Sequence, residues 1–410
     1  MWRGVLVFAI TYVLVASKSL RVVKVDRPAG ALIGAVLAVA LGALTPEEAA
    51  QAVDHTTIVL LFAVMGMGAF LSLDGFFERA GELVVARART TRRLLGATVW
   101  GTGLLSAIVT NDAVCVLLAP IVVGWIERHR LPRVPFLLAL ATGANTGSVA
   151  TLVGNPQNML CGSLGQLRFA PFLVHMAPVA LLALAINHVL LLLIYRRELA
   201  SSKLAPAIAP GHVFTWRSSV TLGVILATVG LYTAGAPLSF TALGGFAVLI
   251  VVHRTAPEKV WERIDWAVLV FFGALFVAVE ALAKSGAAAL AFRHFPIVGA
   301  GTSAEPGSLG WLRAAVLFLI GSNVVTNVPF ILVVRSELER LPDATLAWEM
   351  LAMASTFAGN LTLLGSVANV IVAEKARSIG GLRFWEHLRA GLPIATATTL
   401  VGALMTYALR

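Results

Sequence analysis

One stretch limits the architecture more than any other. Ala144-Asn-Thr-Gly-Ser-Val-Ala-Thr-Leu-Val-Gly-Asn-Pro-Gln-Asn158 is a run of amide, hydroxyl, glycine and proline residues inside an otherwise apolar sequence. A lipid-facing helix cannot carry such a run. Backbone without regular hydrogen bonds persists at bilayer depth only where protein covers it or where it lines a cavity. The pattern returns as Asn360-Leu-Thr-Leu-Leu-Gly-Ser-Val-Ala-Asn369, and without gaps Thr151, Leu152, Gly154 and Asn158 match Thr362, Leu363, Gly365 and Asn369. Broken helices at corresponding places in two halves of a chain point to a binding site near mid-membrane.

The rest of the chain fits a bilayer. It is 58% hydrophobic and 13% charged, against roughly 25% charged in soluble domains. Candidate spans lie near 3–17, 30–44, 56–73, 135–160, 171–195, 219–235, 238–253, 266–283, 347–372 and 390–409. The first span is read as a retained helix, because further spans follow it and no cleavage site is evident. The net charge of +10 sits in short connections, which the positive-inside rule explains without a nucleic-acid partner. Cys115 and Cys161 lie in apolar context and suggest neither a disulfide framework nor a metal site. No His-Glu-x-x-His, Gly-x-Gly-Asp or serine-hydrolase motif is present, so the chain is not expected to be an enzyme or to need a cofactor.

Charge also orders the connections. Lys18, Arg21, Lys24 and Arg27 mark the first as cytoplasmic, and Glu47, Glu48 and Asp54 mark the second as external. Arg79, Arg87, Arg89, Arg92 and Arg93 are cytoplasmic, as are Arg128, Arg130 and Arg133. The segment 94–126 therefore enters and leaves on one side, with arms short for a span, and reads as a re-entrant hairpin. Arg196, Arg197, Lys203 and Arg217 are cytoplasmic, and so are Lys375, Arg377, Arg383 and Arg389. A second hairpin, 311–335, then enters from outside. The expected plan is all-α, with N-terminal scaffold helices in 1–53 and a first repeat in 54–165 holding hairpin 94–126 and broken helix 135–160. Scaffold helices in 166–263 precede a second repeat in 264–375 with hairpin 311–335 and broken helix 347–372, and a terminal helix occupies 376–410. Two halves of opposite orientation make an inverted repeat.

Each hairpin has a polar tip, Thr110-Asn111-Asp112 and Thr326-Asn327-Val328, the second preceded by Ser322 and Asn323. Helix ends at such tips offer unpaired backbone groups to a ligand. The candidate solute-binding set is Thr110, Asn111, Asn145, Gly154 and Asn158 in the first half, with Thr326, Asn327, Asn360, Gly365 and Asn369 in the second. Only the first tip carries an acid. An ionisable group at membrane depth is a functional hypothesis by default, and burial raises a carboxyl pKa, so Asp112 is the candidate proton-coupling residue. Its bland role is to cap the second hairpin arm. Ser148, Thr151, Thr362 and Ser366 are expected to bond back within their helices. Glu280 is expected to pair with Lys284, and His175 and His188 to pack.

These residues resemble the ion transporter superfamily. Asn111-Asp-Ala-Val-Cys-Val-Leu-Leu-Ala-Pro-Ile-Val122 is similar to the Asn-Asp segment of arsenite permeases. Gly154-Asn-Pro-Gln-Asn158 and Gly359 to Asn369 are similar to the branch that includes plant silicon efflux transporters. The resemblance implies hairpins and broken helices that move as a unit against a scaffold, often dimeric, in an elevator-like shift. The related sodium symporters carry Ser-Asn-Thr at both tips, whereas this chain has Thr-Asn-Asp and Thr-Asn-Val. The expectation is therefore proton rather than sodium coupling. No Lys or Arg stands near a tip or a break in the sequence, so a neutral hydroxylated solute is favoured over an anion. The resulting reading is proton-coupled efflux of arsenite, antimonite or silicic acid across the inner membrane. An anion carrier of the same superfamily and a passive channel are the alternatives.

Overall fold

The computed structural model describes residues 2–16, 25–201, 204, 212–294, 297, 307–341 and 343–410. Lys18, Arg21, Lys24 and Lys203, used above for topology, lie outside the described residues. Among the described residues there is no β-strand. α1 (Trp2–Ala16), α2 (Arg27–Ala40) and the short α3 (Pro46–Ala52) lead into α4 (His55–Leu73). α5 (Phe76–Ala88), α6 (Thr91–Ser106), α7 (Asn111–His129), α8 (Arg133–Ser148) and α9 (Pro156–Leu164) follow. The middle of the chain forms α10 (Phe169–Ile194), α11 (Arg196–Ser201), α12 (Trp216–Thr233), α13 (Leu238–His253) and α14 (Pro257–Trp261). α15 (Trp266–Lys284), α16 (Ala287–His294), α17 (Ser308–Val324), α18 (Asn327–Leu338), α19 (Ala344–Ala358), α20 (Val367–Lys375) and α21 (Phe384–Ala408) complete it.

α4, α10, α15 and α21 are long and apolar enough to cross a membrane. With the relatives reported below, they make this a multi-pass membrane protein. α10 carries its apolar surface outward, with Val174, Val189 and Leu193 more than half exposed. α8 and α19 do the opposite. All residues from Pro135 to Ser148 are buried, as are those from Leu346 to Ala358. A helix apolar on every side and flanked by others is the centre of the fold.

Local chemistry sets the starts of these helices. Asp54 caps α4 by accepting from the Thr57 N–H at 2.6 Å, and Asp265 caps α15 by accepting from the Val268 N–H at 3.1 Å. A carboxylate there satisfies one of the orphan amides of the first turn. The two stretches share their order and their spacing. α4 and α15 start 211 residues apart (266 − 55), as do α8 and α19 (344 − 133) and α9 and α20 (367 − 156). The helix pairs α6/α7 and α17/α18 occupy the two predicted hairpins, and α7 extends to His129, three residues past the predicted end. Both predicted broken helices are interrupted, between Ser148 and Pro156 and between Ala358 and Val367.

Some predicted contacts differ. Lys284 pairs with Glu48 at 2.6 Å rather than with Glu280, because α3 folds back beside the end of α15. His175 bonds the buried Glu349 at 3.0 Å, tying α10 to α19, and His188 accepts from the Trp100 indole at 3.3 Å.

Candidate transport site

Where a helix breaks, its last carbonyls lose their partners, and buried unpaired carbonyls are costly. Asparagine side chains meet this need. The Asn158 Nδ2 donates to the carbonyls of Ser148, Val149 and Thr151 at 3.2, 3.3 and 2.9 Å. The Asn369 Nδ2 donates to those of Gly359 and Thr362 at 2.6 and 3.0 Å. Each amide oxygen is then held by the opposite half: Thr356 donates to the Asn158 Oδ1 at 3.1 Å, and Asn145 to the Asn369 Oδ1 at 3.0 Å. Thr356 stands 211 residues after Asn145, so these are corresponding bonds. Asn145 also donates to the Asn360 Oδ1 at 3.2 Å, and Asn360 donates to Thr146 at 2.9 Å. Asn145, Asn158, Asn360 and Asn369 are thus almost fully buried and turned toward one another and the breaks.

The tips dock onto the same breaks. The Asn111 N–H donates to the Gly154 carbonyl at 2.9 Å, and its side chain donates to the Asn145 Oδ1 at 2.9 Å. Asn327 donates to the Gly365 carbonyl at 3.2 Å. Thr151 reaches the Ala107 carbonyl at 2.6 Å and Thr362 reaches the Asn323 Oδ1 at 3.2 Å. These hydroxyls latch a break to a tip rather than bonding back within a helix; Ser366 donates to the Asn145 Oδ1 at 3.1 Å, joining the two broken helices, and only Ser148 bonds back, to the Asn145 carbonyl at 2.8 Å. Gly154 leaves no room for a side chain, since a Cβ there would stand 2.2 Å from the Ser148 carbonyl oxygen. The glycine is required by close backbone approach.

Three cavities meet at Asp112. One of about 320 Å³ runs between α4, α7 and the start of α15 and is lined by Thr110, Asp112, Pro156, Arg263 and Asp265. A second, of about 180 Å³, lies at the second tip among Arg27, Asp112, Gln157, Thr326, Asn327 and Ser366. A third, of about 250 Å³, is walled by Asp26, Arg27, Asp112, Asp265 and Glu374. Asp112 is the second residue of α7; Thr110 occupies the cap position without a side-chain bond. Ser366 and Val367, at the start of α20, line the tip cavity with Asp112, where the helix dipole favours an anion.

Of the sequence-predicted set, Thr110, Asp112, Thr326, Asn327 and Gly365 line these cavities, whereas Asn111, Asn145, Gly154, Asn158, Asn360 and Asn369 line none of them. The Asn327 Oδ1 is buried with no partner, and the residue lines the tip cavity. Gln157 is a further lining residue, and the motif Gly154–Asn158 already contained it. Arg27 corrects the expectation that no cation stands near a tip. It lines two of the cavities, and Asp112 and Glu374 are its charged neighbours. It opens α2, far from both motifs in sequence, so nothing local announced it. Cys115 and Cys161 are fully buried and line no cavity described here.

Comparison with known proteins agrees with this architecture. A family model described as citrate transporter matches residues 12–358. A silicon efflux transporter of Oryza sativa subsp. japonica is 31% identical over 97% of this chain and 96% of its own length. A candidate arsB transporter of Dictyostelium discoideum is 26% identical over 97% of this chain and 90% of its own. The crystal structure of the Alcanivorax borkumensis YdaH transporter shares the fold, with a TM-score of 0.57 and 16% identity over 99% of this chain and 96% of that one. Because the family model covers most of the chain and the rice transporter matches almost end to end, this chain belongs to the citrate transporter family, within the ion transporter superfamily.

Proposed function

We propose that the protein exports a small neutral hydroxylated solute, silicic acid or arsenite and antimonite, in exchange for protons carried by Asp112. The observation that carries this reading is the position of Asp112. It lines all three cavities, and the tip cavity beside it is otherwise walled largely by amide, hydroxyl and apolar groups. Neutral donors and acceptors suit a solute that presents only hydroxyls, and the unpartnered Asn327 Oδ1 supplies a spare acceptor beside the cavity. Asp26, Asp112, Asp265 and Glu374 outnumber Arg27 around the third cavity, which disfavours a multiply charged anion. The silicon efflux activity named for the rice relative supports the same solute class.

The matched spacing of α4, α8 and α9 with α15, α19 and α20 supports an inverted repeat, and the tip-to-break latches support hairpins and broken helices moving together. Alternating access then exposes the tip cavity to each side in turn. The arginine-rich connections support a cytoplasmic placement of the three cavities, in an inner membrane.

The test is flux into proteoliposomes with imposed pH and sodium gradients, using silicic acid, arsenite, antimonite, sulfate and citrate. Wild-type protein is expected to drive silicic acid or arsenite with a pH gradient, and Asp112→Asn to abolish that drive. Full pH-driven transport by Asp112→Asn would sink the reading, and flux that never exceeds equilibration would indicate a channel.

One observation favours a second reading, an anion carrier: Arg27 lines the tip cavity, and the family model bears the name of citrate. Arg27→Gln separates the two. It should abolish transport if Arg27 holds a carboxylate and leave the maximal rate within a few-fold if the solute is neutral.

A further inference from the structure

A fourth cavity, of about 450 Å³, opens at the other end of the molecule. It is lined by Asp54, His55, Phe276, Glu280, Leu332 and Arg335, among others. Its position relative to the tip cavity can be read from helix register. On α15, Phe272 lines the tip cavity and Phe276 lines the fourth cavity. On α18, Pro329 lines the tip cavity and Leu332 and Val333 line the fourth. On α4, Thr56 lines the fourth cavity, and Leu61 lines the large cavity that holds Asp112. At 1.5 Å of rise per residue, three to five residues span only about 4–8 Å. α15 and α18 therefore agree that one layer of side chains divides the tip cavity from the fourth, and α4 sets a similar distance between the fourth cavity and the large one beside Asp112.

That layer is apolar. Phe272 and Phe276 are 4% and 3% exposed, and stand one turn apart on the same face of α15. Leu332 and Val333 are half-buried on α18, which packs against α15. The walls beyond are polar on both sides, with Asp112, Gln157 and Asn327 on one and Asp54, His55 and Glu280 on the other. A polar solute crossing between them meets a single desolvating step.

We infer that the fourth cavity is the external vestibule of the same path, and that Phe276, with Leu332 and Val333 on the neighbouring α18, forms the gate between them. The inference rests on the tip cavity being the transport site, but not on the solute or on proton coupling. Asn327 precedes Leu332 by five residues on α18, about 7.5 Å of rise, so a displacement of the α17/α18 tip along α15 by about one and a half helical turns brings Asn327 level with Phe276. The vestibule receives the solute the tip cavity delivers, a small hydroxylated molecule under the reading above.

The test uses accessibility instead of flux. Asn327→Cys places a thiol at the tip cavity, while native Cys115 and Cys161, both 0% exposed, report on folding. With an impermeant maleimide, Asn327→Cys should be labelled in inverted vesicles and protected in intact cells. Adding Phe276→Ala should raise the rate in intact cells by roughly an order of magnitude, since the void left by a ring is only partly refilled. Phe276→Leu should restore protection, and Leu332→Ala should give a smaller increase. Unchanged external labelling in both alanine variants overturns the gate. So does labelling that rises only together with that of Cys161, which would mean general loosening. Failure of every solute in the flux assay leaves this outcome untouched, and the two readings fail separately.

Discussion

Asn158 and Asn327 look alike in sequence, one amide at each of two polar motifs, yet the structure gives them opposite surroundings. Asn158 spends its whole bonding capacity on the protein, closing three break carbonyls and accepting from Thr356. Asn158→Ala therefore leaves buried carbonyls short of donors, at roughly 1–3 kcal/mol, and should lower the melting temperature of the detergent-solubilised protein. Asn327 has one side-chain bond, to Gly365, and a buried oxygen without a partner. Asn327→Ala should leave the melting temperature closer to wild type while raising the KM for the solute. The opposite pattern in the two variants would reverse these roles. The sequence singled out polar candidates but could not divide them. Contact with a solute and satisfaction of a broken backbone need the same residue type, and only neighbours distant in the chain decide which a given amide does. Asp112 is the exception, because an acid at membrane depth is informative on its own.

At the scale of elements, the two tips differ in backbone as well as in charge. Thr110 sits at φ −60°, an ordinary extended cap, whereas Thr326 sits at φ +70° and ψ 153°. A β-branched residue at positive φ is strained by roughly 1–3 kcal/mol. Thr326→Gly is expected to hold or raise thermal stability, whereas Thr110→Gly should lower it by about 1 kcal/mol. Destabilisation by Thr326→Gly equal to that by Thr110→Gly would remove the strain. The strained tip is the one beside the proposed gate, where stored backbone energy can assist movement. Spans and breaks were legible because hydropathy and polar interruption are local signals. α5, α14 and α16 were not anticipated. They are short helices at the ends of the spans, fixed by the surfaces they lie on more than by their own periodicity.

At the scale of the molecule, an ion pair ties two of the external connections. Glu48 and Lys284 clip α3 to the end of α15 at 2.6 Å. The hydrogen bond from Lys284, with a second from the Thr45 N–H, holds the Glu48 carboxyl below its usual range. A depressed carboxyl stabilises the fold at neutral pH and loses that contribution as pH falls through the folded pKa. Lys284→Met should thus melt slightly below wild type at pH 7, with the difference closing in acid; a gap that persists there would assign the effect to packing. By itself, the sequence determined that this is a helical membrane protein with two broken, polar segments and one acid at a hairpin tip. Those features are local, since bilayer thickness sets span length and unpaired backbone sets where polarity is tolerated. Only the tertiary structure decided that the asparagines lock the two halves together, that Arg27 lines two cavities with Asp112, and that few residues separate the tip cavity from the fourth. Each depends on side chains brought together from remote helices by packing, and no spacing along the chain encodes such a meeting.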